Sequence, residues 1–363
     1  MIRLLLLLFL LPQSLLAQIV TASFDRTTLS QNPASATTRA FSQIALFSTS
    51  KTSESEINEQ RSDNEIVPWE DDIKINKTGM YFTGHGKFSP ELYLSQDKGT
   101  RTLALKDVTT DEHSNDVSIV NNMINLGLRM TQRLSVGFKV FAPSFSYKED
   151  FIIDYSDNQS LQFSANSESS ILGLGAGLTY MVMPGLYWGG YFINIKENMT
   201  FDTQVTDIDG TVSNDSGDET FGRKQFGAGI SYLRGGRGRG VRFEAAVSKM
   251  IHTDLVGMED GEELYSAFEF SYGWLTMGLN VKSRRNMYYN NIELIDYISG
   301  DKTFSEEFKP LYGFFLVLGK GGGHSLGVSG VAYKTSGKKE LFGREQPATT
   351  SLQEVTLSYA YLF

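Results

Sequence analysis

The sequence predicts an all-β fold, a transmembrane antiparallel β-barrel of about fourteen strands with a short N-terminal plug segment. Three observations carry that expectation. Apolar and polar residues alternate through segment after segment; tight turns and long polar stretches take turns between those segments; and aromatic residues gather beside the tight turns. A soluble β-sandwich also alternates, but its strands run about 5 to 6 residues. Several segments here hold the alternation over the roughly 9 to 11 residues that cross a bilayer.

The opening stretch MIRLLLLLFLLPQSLLAQ has one positive charge at Arg3, an apolar run from Leu4 to Leu11, a helix-breaking Pro12, and then small and polar residues. That is the pattern of a secretory signal peptide. Residues 1–17 therefore read as a leader with Ala17 at the expected cleavage position, residues 18–40 as a plug or hatch, and residues 41–363 as the barrel. The chain has no cysteine, so neither a disulfide nor a lipid-modified N-terminal Cys holds it. No later stretch approaches the roughly 18 apolar residues of a membrane-spanning helix. A formal net charge of -9 argues against a nucleic-acid partner.

The strands are expected, in order, at 41–50, 79–94, a weaker 100–108, 117–130, 134–142, 168–182, 186–200, 222–233, 241–251, 264–272, 274–284, 308–318, 324–335 and the closing stretch to Phe363. In the fourth, Val120, Ile124, Leu126, Leu128 and Met130 share one face, while Asn121, Asn125 and Arg129 share the other. In the fifth, Leu134, Val136, Phe138 and Val140 alternate with Ser135, Gly137 and Lys139. Each strand thus meets a different solvent on each side. An even count places both termini on the side of the short turns, the periplasmic side of an outer-membrane barrel. Tyr180, Tyr187, Trp188, Tyr232, Tyr272, Trp274, Tyr359, Tyr361 and Phe363 form an interfacial girdle there. The opposite rim is acidic: 51–72 holds eight acids and two bases, and 202–220 holds six acids and no base.

Because lipid demands an apolar outer face, charged residues within strands mark the lumen. These are Arg129, Lys139, Arg223, Arg242, Glu244, Glu269, Lys282 and Arg284, which read as an internal ion-pair ladder or as a polar path for solutes. SILGLGAGLTY has the glycine spacing of a nucleotide loop but no strand-to-helix transition. Its lumen-facing Gly173, Gly175 and Gly177 instead leave room for a segment to lie against the wall, and the N-terminal segment is the candidate. Gly84, Gly86 and Pro90 read as an ordinary bulge in the second strand or as an interruption of its hydrogen bonding, and Pro143 as an interruption of the fifth.

Between leader and first strand stands Asn32-Pro33-Ala34, followed by a short helix-compatible run. This resembles the start of the FadL-like family of outer-membrane transporters for long-chain fatty acids and aromatic hydrocarbons, in which an Asn-Pro-Ala element lies in a hatch that plugs a fourteen-stranded barrel. LSVGFKVFAPSFSYKED resembles a strand of the same family. The resemblance implies passive uptake of a hydrophobic small molecule, captured at an extracellular groove, passed by the hatch and released sideways through a gap in the wall, a lateral gate for which Gly84, Gly86 and Pro90 are the candidates, with outer-membrane lipid around the barrel and localisation in a Gram-negative outer membrane. On the residues themselves, no cofactor and no enzyme activity is expected. Two other readings stay open on the residues alone: a structural or secretion-accessory barrel whose acidic loops bind a partner, and a general porin.

Chemistry elsewhere is sparse. His85, His113, His252 and His324 lie in different segments, without a pair at metal-ligand spacing. The acidic stretch 207–219 departs from the EF-hand pattern. The alternation of Tyr359, Tyr361 and Phe363 looks like the assembly signal read by the barrel-insertion machinery. Deletion of Phe363 is accordingly expected to lower the amount of folded barrel in the outer membrane, measured by heat-modifiable gel mobility of membrane fractions. Normal levels of the truncated chain would contradict this.

Overall fold

The computed structural model describes residues 22–23, 30–60, 66–105, 113–156, 159–206, 210–236, 239–252, 261–285, 309–319, 323–341 and 344–363. The predicted leader and the centre of the acidic stretch, 207–209, lie outside these residues. Asn32 caps a short 3-10 helix, η1 (Pro33–Thr38). Strands follow at β1 (Gln43–Gln60), β2 (Ile66–Thr83), β3 (Phe88–Leu105), β4 (His113–Arg129), β5 (Leu134–Phe141), β6 (Ser144–Ser156), β7 (Gln159–Met183) and β8 (Leu186–Thr206). The second half holds β9 (Val212–Gly236), β10 (Arg239–His252), β11 (Gly261–Tyr272), β12 (Leu275–Arg285), β13 (Lys309–Gly319), β14 (Gly323–Leu341) and β15 (Arg344–Leu362).

All pair antiparallel with their neighbours in one sheet, and β1 pairs with both β2 and β15, so the sheet closes on itself. β5 and β6 are two halves of one strand, because each lies between β4 and β7 and the register passes through Ala142 and Pro143 without a shift. The barrel is therefore fourteen-stranded, as expected. Closure is completed by the Phe363 N–H donating to the Ser42 carbonyl at 3.0 Å. Along β15, Tyr359, Tyr361 and Phe363 face outward while Ala360 and Leu362 are buried inside.

The expected strand boundaries needed correction at the start. The stretch 79–94 is not one strand: it holds the end of β2, a tight turn and the start of β3, and 100–105 continues β3. Gly84 and Gly86 sit in that turn, where the Gly84 N–H donates to the Pro90 carbonyl at 2.7 Å and Gly86 adopts φ 137°. They interrupt no strand. Pro143 does part β5 from β6, yet the Ala142 N–H reaches the Asn122 carbonyl and the Pro143 carbonyl accepts from the Ile171 N–H, so the wall stays bonded there. The acidic stretches are not free loops either. Much of 51–72 belongs to a β1–β2 hairpin paired as far as Gln60 opposite Ile66, and 202–220 to a β8–β9 hairpin paired as far as Thr206 opposite Val212.

Outward and inward faces alternate as lipid requires. Ile124, Phe138, Leu174, Phe192, Phe226, Phe243, Leu279 and Leu357 are among the exposed apolar side chains. The girdle residues Tyr180, Trp188, Tyr272 and Trp274 are exposed beside the short turns, but Tyr187 turns inward and packs on the lumen cluster. Arg242, fully buried in the lumen, pairs with Glu244 at 2.6 Å and with Glu269. A buried cation between two carboxylates is costly to remove from one side only, about 3–5 kcal/mol. Arg242→Met is thus expected to lower the temperature of the heat-modifiable gel shift by about 5 °C or more. Combining it with Glu244→Leu and Glu269→Leu should restore most of the loss.

Candidate functional site: a seated plug and its chamber

The plug is built around one side chain. Asn32 is fully buried, and its Oδ1 accepts the Ala34 N–H at 3.0 Å while its Nδ2 donates to the Leu178 carbonyl at 2.9 Å and to Thr179 Oγ1 at 3.3 Å. Only an amide can cap the helix with its oxygen and bind the wall with its nitrogen at once. Pro33 suits the first helical position because the N–H it lacks has no intrahelical partner there. Thr37 Oγ1 then donates to Ser135 Oγ at 2.8 Å, and Arg129 donates to the Thr37 carbonyl.

Helix and wall can approach this closely because three glycines stand side by side. Gly127 on β4 pairs with Gly137 on β5, which pairs with Gly177 on β7. A Cβ at Gly137 would lie 2.4 Å from the backbone of both Pro33 and Ala34, and one at Gly177 would lie 2.0 Å from Asn32 Oδ1. The plug was expected on Gly173, Gly175 and Gly177, but only Gly177 touches it. Gly173 instead lies under the ring of Phe141, 1.9 Å from where its Cβ would be, and Gly175 lies beside Ile193.

A second anchor lies on β3. Glu91, buried and absent from the sequence-based candidates, accepts from Arg39 Nε at 2.8 Å, Tyr81 OH at 2.9 Å, Asn125 Nδ2 at 2.7 Å and Ser30 Oγ at 3.0 Å. Lys139 Nζ and Asn125 Nδ2 both donate to the Ser30 carbonyl at 2.9 Å. A third tie reaches the other side of the barrel: Ser23 Oγ donates to Glu269 on β11 at 2.7 Å, while the Ala22 N–H donates to Thr38 Oγ1. The segment therefore spans the lumen.

The predicted lumen charges do not form one ladder. Arg129 and Lys139 hold the plug; Arg242, Glu244 and Glu269 form the trio on β10 and β11; Arg223 pairs with Glu197; and Lys282 lies 4.0 Å from Glu263. The Arg284 side chain is outside the described residues. Further along the same strands toward the long hairpins, the lumen becomes apolar. Phe47, Tyr93, Met123, Phe141, Ile171 and Ile193 are buried in one cluster, with Phe47 and Tyr93 stacked at 5.4 Å. This apolar layer is bounded by charge on both sides: Glu91 and Lys139 lie on its plug side, and Lys77 pairs with Asp97 at 3.0 Å on its hairpin side.

Fold and site together define a plugged transmembrane β-barrel. Among solved structures, the chain is similar to the P. putida toluene transporter TodX (TM-score 0.62, 11% identity, 92% of this chain and 93% of that one). It is likewise similar to a Pseudomonas aeruginosa FadL homologue (0.62, 10%, 91% and 92%) and to the Ralstonia pickettii toluene transporter TbuX (0.57, 12%, 92% of both chains). At such identities the shared feature is the fold. No protein-family model and no curated protein matches the sequence.

Since the chain has no cysteine, Ser35→Cys offers a single reporter inside the buried plug. In an otherwise unchanged barrel it should resist a membrane-impermeant maleimide. Adding Gly137→Ala or Glu91→Gln should speed labelling about tenfold or more, as a lost buried contact of 1.4 kcal/mol or above implies. Equal labelling in all three proteins would mean that these contacts do not seat the plug.

Proposed function

We propose that the chain is an outer-membrane barrel for passive uptake of hydrophobic small molecules, fatty-acid-like or aromatic. The observation that carries this is the apolar cluster of Phe47, Tyr93, Met123 and Phe141 lying directly on the hairpin side of the seated plug. A polar porin has no use for such a cluster, because hydrated solutes gain nothing from aromatic walls. The fold shared with two toluene transporters and a FadL homologue supports the same reading.

Magnitudes fit diffusion rather than storage. A small aromatic molecule that buries about 150 Å² of apolar surface gains about 4 kcal/mol. After the cost of association, that leaves binding no tighter than the millimolar range. The molecule is captured and can still leave. Movement past the plug exchanges its bonds to Leu178 and Ser135 for water at about 1 kcal/mol net each, and those to the Glu91 carboxylate at about 1.5–3 kcal/mol each. Gly84 and Gly86 lying in a turn, Pro90 paired within β3, and the wall bonded at Pro143 favour release past the plug over release through a lateral gate.

Uptake of a labelled aromatic hydrocarbon into liposomes should fall about fivefold or more in Phe47→Gln/Phe141→Gln, the equivalent of roughly 1 kcal/mol of lost apolar interaction. Maleimide protection of Ser35→Cys should be unchanged in that background. Large ion conductance in planar bilayers by the unmodified protein, with no hydrocarbon uptake, would overturn the reading.

A further inference from the structure

On the outward face of the barrel, charge changes sign with height. Along β8, the exposed residues run Trp188, Phe192, Asn194, Lys196, Asn198 and then Asp202; along β9 they run Ile230, Phe226, Lys224 and then Asp218. An apolar band is followed by lysine, and lysine by acid. The registers bring the lysines together. Lys224 stands opposite Asn194, two residues from Lys196, and Lys249 on β10 stands opposite Phe226, two residues from Lys224. Diagonal neighbours on one face of a sheet lie about 7–8 Å apart. Three cations in a diagonal row repel one another, and the carboxylate facing the row from the next strand is Glu262, opposite Lys249. The row carries excess positive charge where an apolar wall meets water.

Below the row lies an apolar groove of about 490 Å³ on the same outer wall. Its floor is the register pair of small residues Ala245 and Ser266, and its sides include Ile230, Phe243, Phe268 and Leu279. Lys249 follows Ala245 by four residues on the same face, about 13 Å along the strand. Cations above and an apolar furrow below match the two ends of one molecule.

We propose that this wall of β8–β12 binds a phosphorylated glycolipid of the outer leaflet, with its phosphates on Lys196, Lys224 and Lys249 and an acyl chain in the Ala245–Ser266 groove. The proposal rests on the outer-membrane reading above, since that leaflet must face the hairpin side. Ammonium to phosphate is a charge-assisted contact, stronger than its neutral counterpart. Partial desolvation by the neighbouring Phe192 and Phe226 screens it less than open water would.

The test uses the folded barrel in detergent micelles, with bisphosphorylated lipid A, the same lipid stripped of phosphate, and inorganic phosphate as probes. Bound lipid is read by native mass spectrometry and folding by heat-modifiable mobility. The unmodified barrel should retain bisphosphorylated lipid A at about tenfold lower concentration than the stripped lipid. Lys196→Gln/Lys224→Gln should abolish that preference, and Ala245→Phe/Ser266→Phe should weaken both lipids alike. Lys74→Gln/Lys98→Gln, on β2 and β3 away from the groove, should change neither. An unchanged preference in the first variant, an equal loss in the last, or displacement of the lipid by inorganic phosphate would overturn the proposal. Hydrocarbon uptake into liposomes free of glycolipid separates the two readings. Its absence beside intact lipid binding rejects transport alone, and its presence beside absent binding rejects the lipid site alone.

Discussion

A peptide group that cannot reach water must bond to another peptide group, and inside a hydrocarbon layer this leaves a sheet no free edge. Most of the molecule follows from that constraint. β15 must meet β1, so the last residues of the chain carry the regularity that closure needs. Each strand must show lipid one face and the lumen the other, so charged side chains collect inside, where they need partners. The plug is a further consequence: its backbone polar groups lie inside the same wall, and Asn32, Ser30 and Thr37 find partners on β4, β5 and β7.

How tightly the plug sits is a matter of missing atoms rather than added ones. Gly127, Gly137 and Gly177 in direct register remove three side chains from one patch of wall, and η1 occupies the space. Glu91 then gathers donors from the N-terminal segment and from two strands, β2 and β4, so that the wall and the segment across it share one polar network. Loss of one donor leaves the others engaged, which permits movement without unfolding.

Much of this was legible in the sequence, and the failures have identifiable causes. Alternation along β15 and across β4–β5 gave the faces correctly because lipid imposes the pattern at every position. Strand ends were harder. Residues 79–94 keep the same parity through the turn at Gly84, with Tyr81, Glu91 and Tyr93 all buried, so alternation alone shows one strand where there are two, and only the donors brought to Glu91 by strand pairing and by the plug mark it as an anchor. The glycine register was invisible for a related reason. Gly127 and Gly137 are opposite only because the turn after Met130 has one particular length, and spacing within a single strand cannot show that. Tyr187 was assigned to the girdle from proximity to a turn, but its neighbour Trp188 takes the outward position and parity sends Tyr187 inside.

The paired acidic hairpins change what kind of object stands beyond the membrane on that side of the barrel. β9 has 25 residues, roughly 80 Å of strand at 3.3 Å per residue. At a tilt near 40° that is still about 60 Å of height, against an apolar band of about 25 Å. More than half of that wall therefore stands clear of the hydrocarbon as hydrogen-bonded sheet rather than loop. Such a wall is a stiff chimney: its mouth opens beyond the crowded layer of lipid headgroups, and its negative sides resist collapse onto one another.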